Sequence, residues 1–323
     1  MDLLVTVIIP AFDAEKTIKE CLKALLRQSI ERARYEIIVV DDGSTDATPD
    51  IVARYPSVRL VRQSNAGPAA ARNRGAQEAR GEILLFTDAD CVPAPDWIER
   101  MLASFQRGED IAGVKGTYQS CHQALIARFV QLEYEDKYRR MSGYEHIDFI
   151  DTYSAGYRRD VFLANGGFDT SFPTASVEDQ EFSFRLARQG HKMVFVPEAR
   201  VCHLEHADTL AKYVRKKFQI GYWKVLVHKR HPGKMLADSH TPQVLKAQLL
   251  LAAALAILLV CGAVWLPMGW GALAAVCGFG LTTLPFVWKA FHKDVIVALF
   301  APGLLFLRAW ALGMGFAMGL LHR

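Results

Sequence analysis

Two groups of acidic residues in this 323-residue chain have spacings that chemistry can use: Asp88-x-Asp90 and Asp41-Asp42. Carboxylates one residue apart on an extended turn can reach a single divalent cation and whatever is bound to it. Such oxygen ligands suit Mg²⁺ or Mn²⁺. A cation held there would neutralise the charge that builds on a nucleotide diphosphate as a bond to it breaks. Asp41-Asp42 runs into Gly43-Ser44-Thr45-Asp46. A carboxylate at that point can accept from the N–H of a base such as uracil or guanine, with Gly43 permitting the turn. Ser44, Thr45 or Asp46 can equally cap a following helix. The two readings are compatible, since a cap needs only one residue.

These residues must be positioned by the elements before them. Residues 5–9 (VTVII) and 36–40 (EIIVV) read as buried strands, 58–62 as a short third strand and 81–86 as a fourth. Between them, residues 14–28 place Ile18, Cys21, Leu22, Leu25 and Leu26 at helical spacing, and 45–55 and 69–79 read as two further helices. Strands and helices in alternation predict a Rossmann-like α/β fold, a mostly parallel sheet with helices on both faces. Ligands bind beyond the carboxyl ends of such strands, and both acidic groups fall at that edge. No G-x-G-x-x-G follows the first strand and no G-K-[ST] is present, which excludes a dinucleotide dehydrogenase and a P-loop enzyme.

From residue 113 to about 199 the pattern changes to a long helix (122–141), a loop, a Gly-rich turn and another helix. Residues 208–230 mix Lys212, Arg215, Lys216, Lys217 and Lys224 with Tyr213, Phe218, Tyr222 and Trp223. This segment reads as an interfacial helix on an anionic leaflet, with a plain solvated helix as the alternative. Beyond Lys246 the charged side chains before the last residue are Lys289, Lys293, Asp294 and Arg308. Residues 247–266 and 269–288 each have the length and apolarity of a bilayer span. Their outer flanks are basic and the link around Pro267 is not, which predicts cytoplasmic flanks. Residues 295–321 read either as a third span or as an interfacial segment followed by one. Arg308 there would need protein, lipid phosphate or water beside it.

The net charge of +4 and the lack of a basic arm argue against nucleic acid. The six scattered cysteines read as reduced thiols. Residues 5–9 are too short for a secretory signal and lack a basic leader.

Taken in order, Val7-Ile8-Ile9-Pro10-Ala11-Phe12, the 36–46 segment, Asn65-Ala66-Gly67 with Ala71-Arg72-Asn73-x-Gly75, and Asp88-Ala89-Asp90 resemble glycosyltransferase family 2. The likeness continues through Gly166-Gly167-Phe168-Asp169 and Glu178-Asp179-x-Glu181-Phe182-x-x-Arg185-Leu186 to Gly190. It implies a GT-A fold, a nucleotide-diphosphate sugar donor of UDP or GDP type, a divalent metal and inversion at the anomeric carbon. By position it implies that Pro10, Ala11 and Phe12 line the nucleoside pocket and that Asp41 and Asp42 contact the base. Arg72 would lie near base or phosphate, Asp88 would bind ribose or metal, and Asp90 the metal. Asp179 would be the general base, its pKa raised by Glu178. A charged helix N-terminus is the simpler alternative for that pair. His203 stands where relatives often carry a histidine, as a metal or phosphate contact or as an ordinary core or surface residue.

The expected organisation is a GT-A domain over 1–205 (a nucleotide-sugar half, 1–112, and an acceptor half, 113–205). A basic interfacial helix and linker over 206–245 and a membrane domain over 246–323 with two to three spans would follow. The expected activity is transfer of one sugar to a lipid-linked or envelope-glycan acceptor, by a multi-pass protein of the inner or plasma membrane, its catalytic domain cytoplasmic and in contact with membrane lipids. In Gln219-x-x-Tyr222-Trp223, Tyr222 replaces the arginine of processive members. A processive synthase subunit and a non-catalytic nucleotide-sugar scaffold are the rival readings.

Overall fold

The computed structural model describes residues 3–108, 110–172, 177–205, 207–235, 238–262 and 268–322. The link around Pro267 lies outside them. The chain forms two compact units, the first of residues 1–121, 138–206 and 238–240, the second of 122–137, 207–237 and 241–323.

The first unit opens with strand β1 (Val5–Ala11), helix α1 (Ile18–Leu25), β2 (Tyr35–Asp41), α2 (Thr48–Ala53), β3 (Arg59–Arg62), α3 (Pro68–Glu78) and β4 (Ile83–Phe86). β1, β2 and β4 are β-branched and apolar on both faces and are buried throughout, apart from the half-buried Pro10. α1 turns Ile18, Cys21, Leu22 and Leu25 inward, the face that the sequence spacing predicts. Then come β5 (Cys91–Pro93), α4 (Trp97–Phe105), β6 (Ile111–Ser120), β7 (Ala155–Arg158), α6 (Arg159–Ala164), α7 (Glu178–Arg188) and β8 (Lys192–His203), while α5 (Leu125–Met141), between β6 and β7, belongs up to residue 137 to the second unit.

The eight strands form one sheet in the order β3-β2-β1-β4-β7-β6-β8-β5. It is parallel from β3 to β4. β7 joins β4 and β6 antiparallel, β8 joins β6 parallel, and β5 joins β8 antiparallel. The sheet is therefore mixed. The strands β5, β6, β7 and β8 are absent from the sequence expectation, and β6 shows why. Its central Lys115 is fully buried and paired with Asp151, so a charge interrupts the apolar run that marks a strand.

β6 lies beside β8 with Gln119 opposite Cys202, and Cys121 is joined to Cys202 by a disulfide, their Cα atoms 6.0 Å apart. This corrects the reading of all six cysteines as reduced thiols. The partners are 81 residues apart, and only the strand pairing brings them together.

The second unit adds α8 (Leu210–Arg230), α9 (Gln243–Gly262), α10 (Met268–Phe291) and α11 (Val295–Leu321). Among the described residues three helices, within α9, α10 and α11, are long and apolar enough to cross a membrane. α11 continues through Pro302 and past Arg308 as one helix. α8 packs backbone to backbone on α11. A Cβ at Gly221 would strike the Leu312 carbonyl, and one at Gly315 the Phe218 carbonyl. Small residues allow such approach between helices. Ile126, Phe129 and Val130 of α5 share a core with Tyr213, Ala298, Ala301 and Leu305. Arg308 faces protein, donating to Glu133 at 2.6 Å and to Gln248 at 2.6 Å.

Candidate active site

β1 and β2 end side by side, with Ala11 opposite Asp41 and the Asp42 amide donating to the Ala11 carbonyl at 2.8 Å. Asp41 is buried and accepts from the Ser44 amide (3.2 Å) and the Arg62 guanidinium (3.1 Å). Asp42 accepts from the Gln63 side chain (2.7 Å) and from the amides of Ala66 and Gly67, each at 2.9 Å. These two carboxylates thus fold the loops at this edge of the sheet: they hold residues 63–67 against the end of β2 and set the start of α3. Gly43 turns the chain directly after them at φ +81°, where a Cβ would come within 2.9 Å of the Asn65 amide.

Pro10 and Ala11 belong to β1, and Phe12, immediately after it, is 51% exposed, an aromatic face open to solvent at the sheet edge. Beside it lies a cavity of about 350 Å³ whose lining includes Asp13, Thr17, Thr45, Asp46 and Glu205. Asp13, at φ +48°, bridges the two strand ends by accepting from the Thr45 amide at 2.8 Å.

At the end of β4, Thr87 donates to the Tyr153 carbonyl at 2.9 Å and so pins the turn that carries Asp88 and Asp90. Asp88, Asp90, Cys91 and His203 bring one potential ligand atom each within 4.8 Å of one another. β5 and β8 produce this grouping by pairing Cys91 directly opposite His203. His203 Nδ1 stands 3.4 Å from the Asp90 carboxylate. Burial, and then the negative charge of Asp88, push Asp90 up to about 7. Two crowded carboxylates with an imidazole alongside fit a divalent cation, which would relieve that repulsion. The Asp88, Asp90 and His203 of the sequence reading therefore come together. Cys91 is absent from that reading, though it directly follows Asp90. Burial, Asp88 and Asp90 hold its thiol well above the ordinary range, so it sits beside the carboxylates as a neutral neighbour.

Arg72, expected near base or phosphate, lies buried between two acids. It donates to Asp88 at 2.8 Å and to Glu178 at 3.0 Å. α3 supplies the arginine, the turn after β4 supplies Asp88, and the first turn of α7 supplies Glu178 and Asp179. Asp179 is the next residue after Glu178, and its pKa is raised to about 7 by burial first and by the Glu178 charge second, with Arg72 opposing. A carboxylate in that range can both accept and release a proton near neutral pH. Lys115 also bears on Asp179, holding its pKa down slightly. That buried cation is a second element the sequence reading lacks, since a single lysine in a strand gives no signal.

Residues 6–165 match the model of glycosyl transferase family 2. The chain is 29% identical over 234 residues to glycosyltransferase AglE of Haloferax volcanii, covering 69% of this chain and 73% of that one. It is 24% identical over 238 residues, again 69% and 73%, to a dolichyl N-acetyl-alpha-D-glucosaminyl phosphate 3-beta-D-2,3-diacetamido-2,3-dideoxy-beta-D-glucuronosyltransferase of Methanococcus voltae. Among solved structures it is similar in fold to a mannosyltransferase of Pyrobaculum calidifontis in complex with GDP-Man and Mn²⁺. The TM-score is 0.63 at 19% identity, over 99% of this chain and 87% of that one.

Proposed function

Because the chain belongs to glycosyltransferase family 2 and is a glycosyltransferase of GT-A fold, we propose that it moves one sugar, with inversion, from a UDP- or GDP-type donor to a lipid-linked or envelope-glycan acceptor. The protein would be multi-pass, with its catalytic unit on the cytoplasmic side. The observation that carries the transfer reading is the Arg72 bridge. One guanidinium ties the cation-type cluster, through Asp88, to the acid pair that holds the candidate base.

In this reading Pro10, Ala11 and Phe12 line the nucleoside pocket, Phe12 offering its exposed ring to the base. Asp41 and Asp42 shape that pocket through the loops they hold as well as offering acceptors. Asp88, Asp90 and His203 would hold Mn²⁺ or Mg²⁺, which when bound supplies charge neutralisation to the departing diphosphate. Asp179 takes the proton of the acceptor hydroxyl as that oxygen forms its bond to the anomeric carbon and the bond to the diphosphate breaks. Burial first, and then the charge of Glu178, hold Asp179 in the range where it can take that proton. The lipid-linked acceptor is supported by the three apolar helices and by the dolichyl-phosphate-linked acceptor in the name of the Methanococcus relative. The cytoplasmic placement rests on the basic residues flanking these helices, Lys246, Lys289 and Lys293.

The test is a panel of UDP- and GDP-sugars offered, with Mn²⁺, to the full chain in detergent. Hydrolysis or transfer from one donor, lost in chelator and regained with metal, is expected. Binding without any turnover would replace transfer with the scaffold reading.

A further inference from the structure

The membrane unit contains a charge imbalance that sugar transfer does not use. Glu133 of α5 is buried and has its acceptor capacity engaged. Oε1 receives Arg308 of α11 at 2.6 Å, and Oε2 receives Tyr213 at 3.1 Å and lies 3.2 Å from Lys217, both of α8. The side chains of Lys217 and Arg308 are themselves only 16% and 11% exposed. One turn further along α5, on the same face, stands Lys137. Among the described residues it has no ion-pair partner, and its ammonium lies over the Tyr134 ring, 4.8 Å from the centroid. Burial, and then the nearby charges of Lys217, Lys224 and Arg308, depress Lys137 to about 7, with Glu133 opposing. Three cations thus gather around one carboxylate that is already committed. A desolvated positive surplus of this kind is costly unless an anion joins it.

We propose that Lys137, Lys217 and Arg308 form a binding site for the phosphate of a membrane lipid. A phosphate monoester offers the oxygens that these donors lack, in charge-assisted hydrogen bonds. The anion reaches the site as part of a lipid because of what the site is built from. Arg308 stands near the middle of α11, a helix long and apolar enough to cross a membrane, and its neighbours Leu304, Leu305 and Ala309 are apolar. A free dianion would have to shed its water against that surface, whereas a lipid brings its phosphate with an apolar tail. The outward faces of α9 and α10, with Leu250, Ile257 and Trp270 exposed, give such tails a surface. α8, packed along α11, carries Lys216, Lys217 and Lys224, basic residues of the kind that anionic headgroups attract.

The inference rests on the membrane-anchored reading of the chain and is independent of its transfer chemistry. The probe is phosphatidic acid, titrated against the full chain in neutral detergent and scored as lipid-bound protein by native mass spectrometry. Phosphatidylcholine and inorganic phosphate serve as comparisons. Phosphatidic acid should bind at least about tenfold more tightly than phosphatidylcholine, the scale of one charge-assisted bond. Lys137→Gln should remove most of that preference and Lys137→Arg should keep it. Among the described residues Lys137 has no ion-pair partner to lose, so both variants should match the wild type in thermal unfolding. Equal binding of the two lipids would overturn the site, as would a preference unchanged in Lys137→Gln. Inorganic phosphate competing at the same concentration as phosphatidic acid would overturn the lipid assignment and leave a free-anion site. Donor hydrolysis in the same samples reports separately on the transferase reading.

Discussion

Arg72 and Glu178 are 106 residues apart in sequence and 3.0 Å apart in the structure, both buried, and the same guanidinium reaches Asp88 on its other side. Glu178 thereby has a charged partner in a place that water does not reach, and burial together with the Glu178 charge raises Asp179. The arginine that opposes this rise at the candidate base also touches the cation-type cluster.

Removing that arginine leaves two acids without their cation. Arg72→Met should destabilise the first unit by about 3–5 kcal/mol, the usual cost of breaking a buried pair from one side. Thermal unfolding would read this as a clear drop in midpoint. A variant as stable as the wild type would mean that the bridge does not contribute to stability.

The pKa of Asp179, raised to about 7, gives activity a pH dependence with a definite sign. Below that value the carboxyl is protonated and cannot take the acceptor proton, so turnover at saturating donor should rise through pH 7 and level off above it. Asp179→Asn should reduce turnover by about 10²–10⁴-fold, the usual range for a lost general base, and abolish the rising limb. Donor affinity should barely move. A variant that loses donor affinity while keeping its turnover would place Asp179 in the donor pocket instead.

Metal dependence should centre on Asp90. Asp90→Ala should lose Mn²⁺ binding by calorimetry together with transfer, while its circular dichroism stays that of the wild type. Full transfer in excess chelator would remove the cation from the mechanism.

In the membrane unit, Gly315→Leu would drive a side chain into the Phe218 carbonyl of α8. Overpacking of this sort costs about 1–3 kcal/mol even where side chains can adjust, and a backbone carbonyl adjusts less. The detergent-solubilised variant should unfold at a lower temperature or fail to accumulate. Wild-type behaviour would mean that the two helices are not in this contact.

The nucleotide half of the fold was legible because β1, β2 and β4 are mostly apolar runs, with the acidic residues at the ends of β2 and β4, so one pattern revealed both element and site. Asp41, Asp42, Asp88 and Asp90 could be placed at the sheet edge from that alone. What lay hidden was long-range. Cys91 opposite His203, and Cys121 against Cys202, depend on strands β5, β6 and β8 meeting at the far side of the sheet. β6 carries Lys115 where an apolar residue would have announced it. The Arg72 bridge was illegible for a related reason. Its type and position read as a contact for a ligand, and nothing local shows that Asp88 and Glu178 already occupy both ends of the side chain.

The close fit of α8 on α11 bears on how the protein can be shortened. Removing the apolar C-terminal helices is the usual route to a water-soluble enzyme, and it treats them as interchangeable anchors. Here the cut would uncover the α8 backbone at Gly221, the Phe129 and Tyr213 rings, and a Glu133 stripped of Arg308. A chain ended at residue 241 should aggregate unless detergent covers these faces, because its last helix contributes wall as well as anchor.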